Sequence, residues 1–316
     1  MKLLTGTIES IEAVNVNSVE VFDIGVQDNH NYFIFPPGGG SGVLVHNCQR
    51  GSATIHAKVI SKFACKYKWG LSGTPQRKDR RDIIAKRLMG PILHKTDTER
   101  LVPHLELVPT NVTTERDYKT WVYMIRFLEE HPQRLKLIAQ WAIKDAKAGH
   151  MILLPMTRIK VVRALTEAIN RMAGEDGPIA AAFYGGVKKE DRDKIIQKAR
   201  NYKIKVIVGN TRLISTGINI PRASCLYQCT PSSNIPNAEQ RFSRILTPYA
   251  GKPNPLIRVF ADEMKVVKAC FRAEYWRCLY KMFRPTMTDD TRDKLMVWMN
   301  RSPKKKFDTF RAGGKI

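Results

Sequence analysis

Over residues 5–27 apolar and polar side chains alternate, the two-residue period of strands with one buried face. Two strands joined by a turn at Asn15-Val16-Asn17-Ser18 fit that run. The stretch NHNYFIF reads as a third strand, and VLV, after the glycine-rich link PPGGGSG, as a short final one. So few residues of strand are marginal alone and need a partner. From residue 48 the texture changes. Strand-like runs (YKWGLSGTP, HMILLPM, IAAAFYGG, IKVIVGN, SCLYQCTP, PLIRVFAD) alternate with runs of helical spacing. The helical ones are KVISKF, RKDRRDIIAKRLMG, residues 114–148, KVVRALTEAINRM and KEDRDKIIQKARN, with Gly90 and Gly149 as stops. That alternation predicts a doubly wound parallel sheet. After Glu263 the chain reads as helical, rich in aromatic and basic residues, ending in RSPKKKFDTFRAGGKI.

Charge separates the same two parts. The 316 residues carry 53 Lys and Arg against 29 Asp and Glu, a net charge of +24. Residues 1–47 hold one basic residue and five acidic ones, a net of −4, so the remainder carries +28. Such an excess favours a polyanionic partner, DNA or RNA above all, through phosphate contacts and counterion release. The six cysteines (48, 65, 225, 229, 270 and 278) form no Cys-x-x-Cys pair and have no histidine at zinc spacing, so core thiols are expected and no metal site. MKLL is too short for a signal peptide and no apolar run reaches about 18 residues. The expectation is a chain of the reducing cytoplasm with no membrane partner.

The seam between the parts carries chemistry. In His46-Asn47-Cys48 the asparagine amide nitrogen can attack its own main-chain carbonyl, closing a succinimide and cutting the bond to Cys48. A neighbouring imidazole can protonate the leaving amine or polarise the carbonyl. Holding the amide in attack geometry contributes up to about 7–11 kcal/mol. A cysteine after the asparagine offers a thiolate for acyl transfer once its pKa of about 8.5 is lowered or a base is supplied. The stretch VEVFDIGVQDNHNYF…GVLVHN followed by Cys48 resembles the C-terminal motifs of inteins, self-splicing protein insertions, over essentially all of residues 1–47. By that resemblance Asn47 cyclises, His46 assists it, and Cys48 attacks an upstream thioester. His30 matches a further motif histidine, and Asp23 the acid that activates the Cys48 thiol. The link IFPPGGGSG is longer and richer in glycine than is usual in that family. The chain carries no intein N-terminal half, so the resemblance implies the C-terminal piece of a split intein that splices in trans and needs no cofactor to do so.

Behind the seam the motifs are of another kind. GLSGTPQRKD (residues 70–79) resembles the Ser-Ala-Thr motif of superfamily 2 helicases, IVGNTRLISTGINIPRA their motif V, and NAEQRFSRIL their motif VI. The resemblance implies two RecA-like lobes, ATP and Mg²⁺ as cofactors, and nucleic acid as substrate. Cys48-Gln49-Arg50 stands where that family has the end of its Asp-Glu-x-His or Asp-Glu-x-Gln box, so a partner chain ending in Asp-Glu would complete it, with Gln49 as its last member. No Gly-x-x-x-x-Gly-Lys-Ser/Thr is present, so the phosphate loop would also come from the partner, and no ATPase is expected of this chain alone. By the same likeness Gln240, Arg241 and Arg244 reach ATP, Gly217 and Asn219 belong to motif V, and Thr211 is its phosphate-contacting threonine. Ser72 and Thr74 couple nucleotide to lobe movement. HMILLPMTRIKVVRAL resembles motif IV, with Thr157 and Arg158 gripping a phosphate, and Gly185 in Tyr184-Gly185-Gly186 faces nucleic acid. Ser243 replaces the motif VI glycine, and Thr247 stands where many relatives carry another arginine, which leaves open whether Arg241 or Arg244 is the finger.

The expected organisation is therefore an all-β intein fragment at 1–47, the end of the first RecA-like lobe at 48–108, the second lobe at 109–265 and a helical basic extension at 266–316. The expected function is a trans-splicing precursor of an ATP-dependent helicase or translocase, in a bacterial or phage-infected cytoplasm. The alternative is a non-catalytic nucleic-acid-binding lobe behind an inactive intein remnant.

Overall fold

The computed structural model describes residues 31–34, 43–47, 58, 61, 69–71, 82–92, 100–114, 118, 120–174, 177–216, 218–230, 232 and 234–300. The chain falls into two compact units, residues 1–97 and 98–316.

In the first unit β1 (Asn31–Ile34), β2 (Val43–Asn47) and β3 (Trp69–Leu71) form a sheet in that order. β1 and β2 are antiparallel, with Asn31 opposite His46. β2 and β3 are parallel, pairing Val45, His46 and Asn47 with Trp69, Gly70 and Leu71. The expected boundary at residue 47 is therefore not a break in the sheet. A strand of Val, Leu and Val has two edges to pair, and the WGL strand beyond the seam takes the second. α1 (Asp82–Met89) ends at Gly90, whose φ of 88° is the glycine-favoured stop anticipated for it. The strands expected within residues 5–27 lie outside the described residues.

The second unit is built on six parallel strands. They are β4 (His104–Pro109), β5 (Ile152–Met156), β6 (Ala180–Phe183), β7 (Val206–Asn210), β8 (Cys225–Gln228) and β9 (Leu256–Ala261), ordered β4-β9-β8-β5-β7-β6. Helices cover both faces, which is why β5, β8 and β9 are buried along their whole length. Alternate residues feed two cores. Leu153, Ile207, Leu226 and Ile257 enter one, and Ile152, Leu154, Val208 and Tyr227 the other. The second core is closed by α3 (Pro132–Lys147) and α4 (Ile159–Ala173), the first by α5 (Lys189–Arg200), α6 (Thr211–Thr216), α7 (Ile235–Ser243) and the carboxy-terminal helices. Leu153→Ala would open a cavity there, at about 2–5 kcal/mol.

Three expectations shift. The single helical run at 114–148 is two helices, α2 (Trp121–Glu130) and α3, because Pro132 denies His131 the helical conformation; His131 (ψ 116°) then caps α3 by accepting from the Arg134 N–H. The boundary at 108 would cut β4, which pairs in register with β9 from His104 to Pro109, so residues 98–108 belong to the second unit. The extension is no appendage. α8 (Lys265–Glu274), a π-helical segment at Tyr275–Phe283 and α9 (Asp289–Asn300) bury Phe271, Leu279, Phe283 and Trp298 in the first core.

Candidate functional site

Ligands of open α/β sheets bind beyond the carboxyl ends of the strands, and three predicted residues stand there. β5 runs into Thr157 and Arg158, which precede the N-terminus of α4, and β7 runs into Thr211 at the start of α6. Thr211 Oγ1 donates to the Met156 carbonyl at 3.1 Å, and Asn210 Nδ2 to the Thr157 carbonyl at 3.2 Å, so the two strand ends are laced together. The expected phosphate donors, however, already have an acid. Glu129, buried at the end of α2, accepts from Thr157 N at 2.9 Å, Thr157 Oγ1 at 2.8 Å, Arg158 N at 3.1 Å and Thr230 Oγ1 at 3.2 Å. Burial pushes its carboxyl above the ordinary value, against the pull of those donors. The Arg158 side chain pairs with Glu130 at 3.1 Å.

The two motif VI arginines have different surroundings. α7 starts on an Asn234 cap that accepts from Asn237 N at 3.3 Å. Near its end Arg241 is 1% exposed and ion-paired with Glu274 of α8, itself fully buried. Glu274 also accepts from Gln228 Nε2 at 2.6 Å and Ser232 N at 3.2 Å. Burial raises its pKa to about 7, the paired guanidinium notwithstanding. Arg244, half-buried, caps α7 and donates through Nε (3.0 Å) and Nη2 (2.7 Å) to the Ser215 carbonyl of α6, tying motif VI to motif V. The two arginines thus differ in setting: Arg241 is buried against a carboxylate, whereas Arg244 is half-buried against a main-chain carbonyl. Gln240 is half-buried on the same helix.

Asn219 is exposed and its carbonyl accepts from Arg200 Nε (3.1 Å) and Nη2 (2.9 Å). Gly185 is exposed beside Tyr184, whose hydroxyl accepts from Arg163 Nε at 2.7 Å. Asp23, His30, Cys48, Gln49, Ser72, Thr74 and Gly217 lie outside the described residues, and of His46 and Asn47 only the backbone, on β2, is described. Cys225, Cys229 and Cys278 are buried, and burial raises their thiol pKa values, that of Cys229 to about 12. Among the described residues no helix is long and apolar enough to cross a membrane, and no cluster of His, Cys, Asp and Glu could hold a metal.

The acids that organise these elements were not anticipated, yet each interrupts an apolar helical stripe. Glu129 follows Ile125 by four residues, Glu274 follows Phe271 by three, and Asp145 follows Ala142 by three, each of those apolar residues being buried. A charge in such a stripe signals a buried partner.

Residues 133–246 match the helicase conserved C-terminal domain. "Probable helicase D10" of Escherichia phage T5 is 24% identical over 216 residues, covering 67% of this chain and 46% of its own length. The chain spans less than half the length of the curated viral relatives it matches. Among solved structures, S. cerevisiae Dbp5 bound to RNA and ADP BeF3 is similar at 15% identity, with a TM-score of 0.50, over 80% of this chain and 61% of that one. Over residues 133–246 the chain is thus similar to helicase C-terminal domains, and its second unit shares the fold of that solved structure.

Proposed function

We propose that this chain is the C-terminal half of a superfamily 2 helicase or translocase, supplied as a precursor that is joined to its N-terminal half by protein trans-splicing. What supports the motor is Arg244, held half-exposed between motifs V and VI inside the helicase domain. ATP with Mg²⁺ would be held with the help of the partner, which brings the phosphate loop and the Asp-Glu carboxylates. Bound there, ATP supplies the phosphoryl transfer that drives the motor. Arg244 would place fixed positive charge at the developing phosphate charge. Thr211 of motif V, together with Gly185, would track the nucleic acid, DNA or RNA.

The splicing half rests on the sequence of residues 1–48. Co-expression with a partner polypeptide carrying the phosphate loop, Asp-Glu and an intein N-terminal half should yield a ligated chain and a freed fragment of 47 residues from this side of the junction, read by mass spectrometry. Asn47→Ala should stop cleavage before Cys48. If Asn47→Ala still releases the downstream chain, asparagine cyclisation is not the route.

One observation favours a second reading, in which the N-terminal segment is an inert remnant ahead of a non-catalytic nucleic-acid-binding lobe. β2 pairs in parallel with the strand that leads into the Ser-Ala-Thr motif, as a strand native to that sheet would. The bond between Asn47 and Cys48 would then stay intact in the co-expression experiment, with the chain folded and able to bind nucleic acid.

A further inference from the structure

The π-helical segment Tyr275–Phe283 has two contrasting faces. Inward, Tyr275, Cys278, Leu279 and Phe283 are buried, with the Phe283 ring 6.4 Å from Phe242 of α7. Outward, Trp276 and Tyr280 are 44% and 52% exposed, and Arg277, Lys281 and Arg284 are exposed beside them. The Trp276 and Tyr280 rings meet edge to face, centroids 5.1 Å apart at 69°, and Tyr275 braces Trp276 from below at 5.0 Å and 79°. Residues four apart lie along one ridge, so an aromatic pair (276 and 280) runs beside a basic pair (277 and 281). Arg284, with φ 44°, ends the helix and adds a third cation. Between Glu274, which is buried against Arg241, and Asp289 the sequence has no acid.

Large rings held rigidly in water, with cations alternating between them, suit a ligand that has both a π-face and a phosphate for each unit. Unpaired nucleotides are such a ligand; the bases of a duplex are stacked on one another and hide their faces. The patch lies beyond residue 246, outside the matched helicase domain.

We propose that the exposed face of Tyr275–Phe283 is a binding surface for single-stranded nucleic acid, on which bases stack against Trp276 and Tyr280 while phosphates run along Arg277, Lys281 and Arg284. This deepens the reading of the lobe as part of a nucleic-acid motor.

The test is fluorescence anisotropy of the 316-residue chain with labelled oligonucleotides of about 12 nucleotides, within the span of a single-strand binding module. Single-stranded DNA, single-stranded RNA and duplex DNA are compared without nucleotide. The parent should prefer a single strand, and the two single-stranded arms show which sugar it favours. Trp276→Leu with Tyr280→Leu keeps apolar bulk and removes stacking; affinity should fall at least about tenfold. The ring-keeping pair Trp276→Phe and Tyr280→Phe should stay within about threefold of the parent. Arg277→Ala with Lys281→Ala should lower the slope of log affinity against log salt by about 1.4. No single-strand binding, or equal binding by parent and leucine variant with matched thermal unfolding, overturns the proposal. The motor reading fails separately: a ligated product without ATPase whose single-strand binding still needs the two rings sinks the motor and keeps this surface. ATPase with ring-independent binding does the reverse.

Discussion

Residues 133–246 and the chain beyond them share one lobe, but they contribute differently to it. The first segment carries the motif residues, mostly at strand ends and helix termini. The second carries half of every ion pair in which both described partners are buried. Arg134 pairs with Asp262 at 2.8 Å, Asp145 with Arg258 at 2.7 Å, and Arg241 with Glu274, each bridging the two segments. A buried pair need not stabilise relative to apolar residues of the same shape, but breaking one leaves a charge stranded. The difference teaches that residues 133–246, taken alone, hold three buried charges without an oppositely charged partner among them. Their true structural unit reaches at least to Glu274.

The largest expected effect separates chemistry from scaffolding. In the ligated product, Arg244→Ala should lower ATPase turnover about 10³-fold or more, while its lost bonds to the Ser215 carbonyl cost the lobe only about 1–3 kcal/mol. Steady-state hydrolysis and thermal denaturation measured side by side check it. Glu274→Ala should do the opposite, costing about 3–5 kcal/mol of stability by stranding Arg241. At about 2–4 °C per kcal/mol for a lobe of this size, the unfolding midpoint should drop by at least about 6 °C. Arg241→Met with Glu274→Leu removes both charges together and should recover most of that loss. Were the double variant as unstable as the single one, Glu274 would matter for something other than its arginine.

Proton linkage at Glu274 gives a smaller effect of definite sign. Burial raises its pKa to about 7 from an ordinary 4.5, so the folded lobe holds this proton more tightly than the unfolded chain does. Its stabilising contribution is full below pH about 4.5 and is lost as pH rises through about 7, on the order of 3 kcal/mol at most. Glu274→Gln cannot titrate, so the difference in unfolding free energy between variant and parent should grow over that window and be flat above it. A difference independent of pH would mean that Glu274 is ionised throughout, held so by Arg241.

Much of the lobe was legible before its coordinates because its signals are local. The sequence offers five strand runs in this lobe, and all five are strands, β5 to β9, since each is a short apolar stretch bounded by turn residues. β4 gives a weaker signal because HLELVP carries an acid in mid-run, ends in proline and stands, only partly buried, at a sheet edge. The two arginines rest on the resemblance of NAEQRFSRIL to a helicase motif, and a motif says nothing of burial. Arg241 and Arg244 lie three residues apart on nearly the same helix face, and only the partner 33 residues away in sequence, Glu274, makes one structural. The same holds for Glu129, whose donors come from residues 28 to 101 positions downstream.

The smallest expected effect concerns that acid. The N-terminus of α4, with the N–H groups of Thr157 and Arg158 before it, is where a nucleic-acid phosphate was expected, yet Glu129 already accepts from both and from two hydroxyls. Replacing Glu129 by Gln keeps the shape but turns one acceptor into a donor, leaving at least one of the four donors without a partner, at about 1–3 kcal/mol. Its effect on binding discriminates more finely than its effect on stability. If Glu129 is a permanent occupant, single-strand affinity should change less than about threefold, since an internal anion is being replaced by a neutral mimic at a filled site. If a phosphate displaces the carboxylate when nucleic acid binds, Glu129→Gln removes a competing negative charge and affinity should rise, more so at low salt, where repulsion is least screened. Four hydrogen bonds to one buried carboxylate favour the first outcome, because displacing Glu129 would leave it buried without donors.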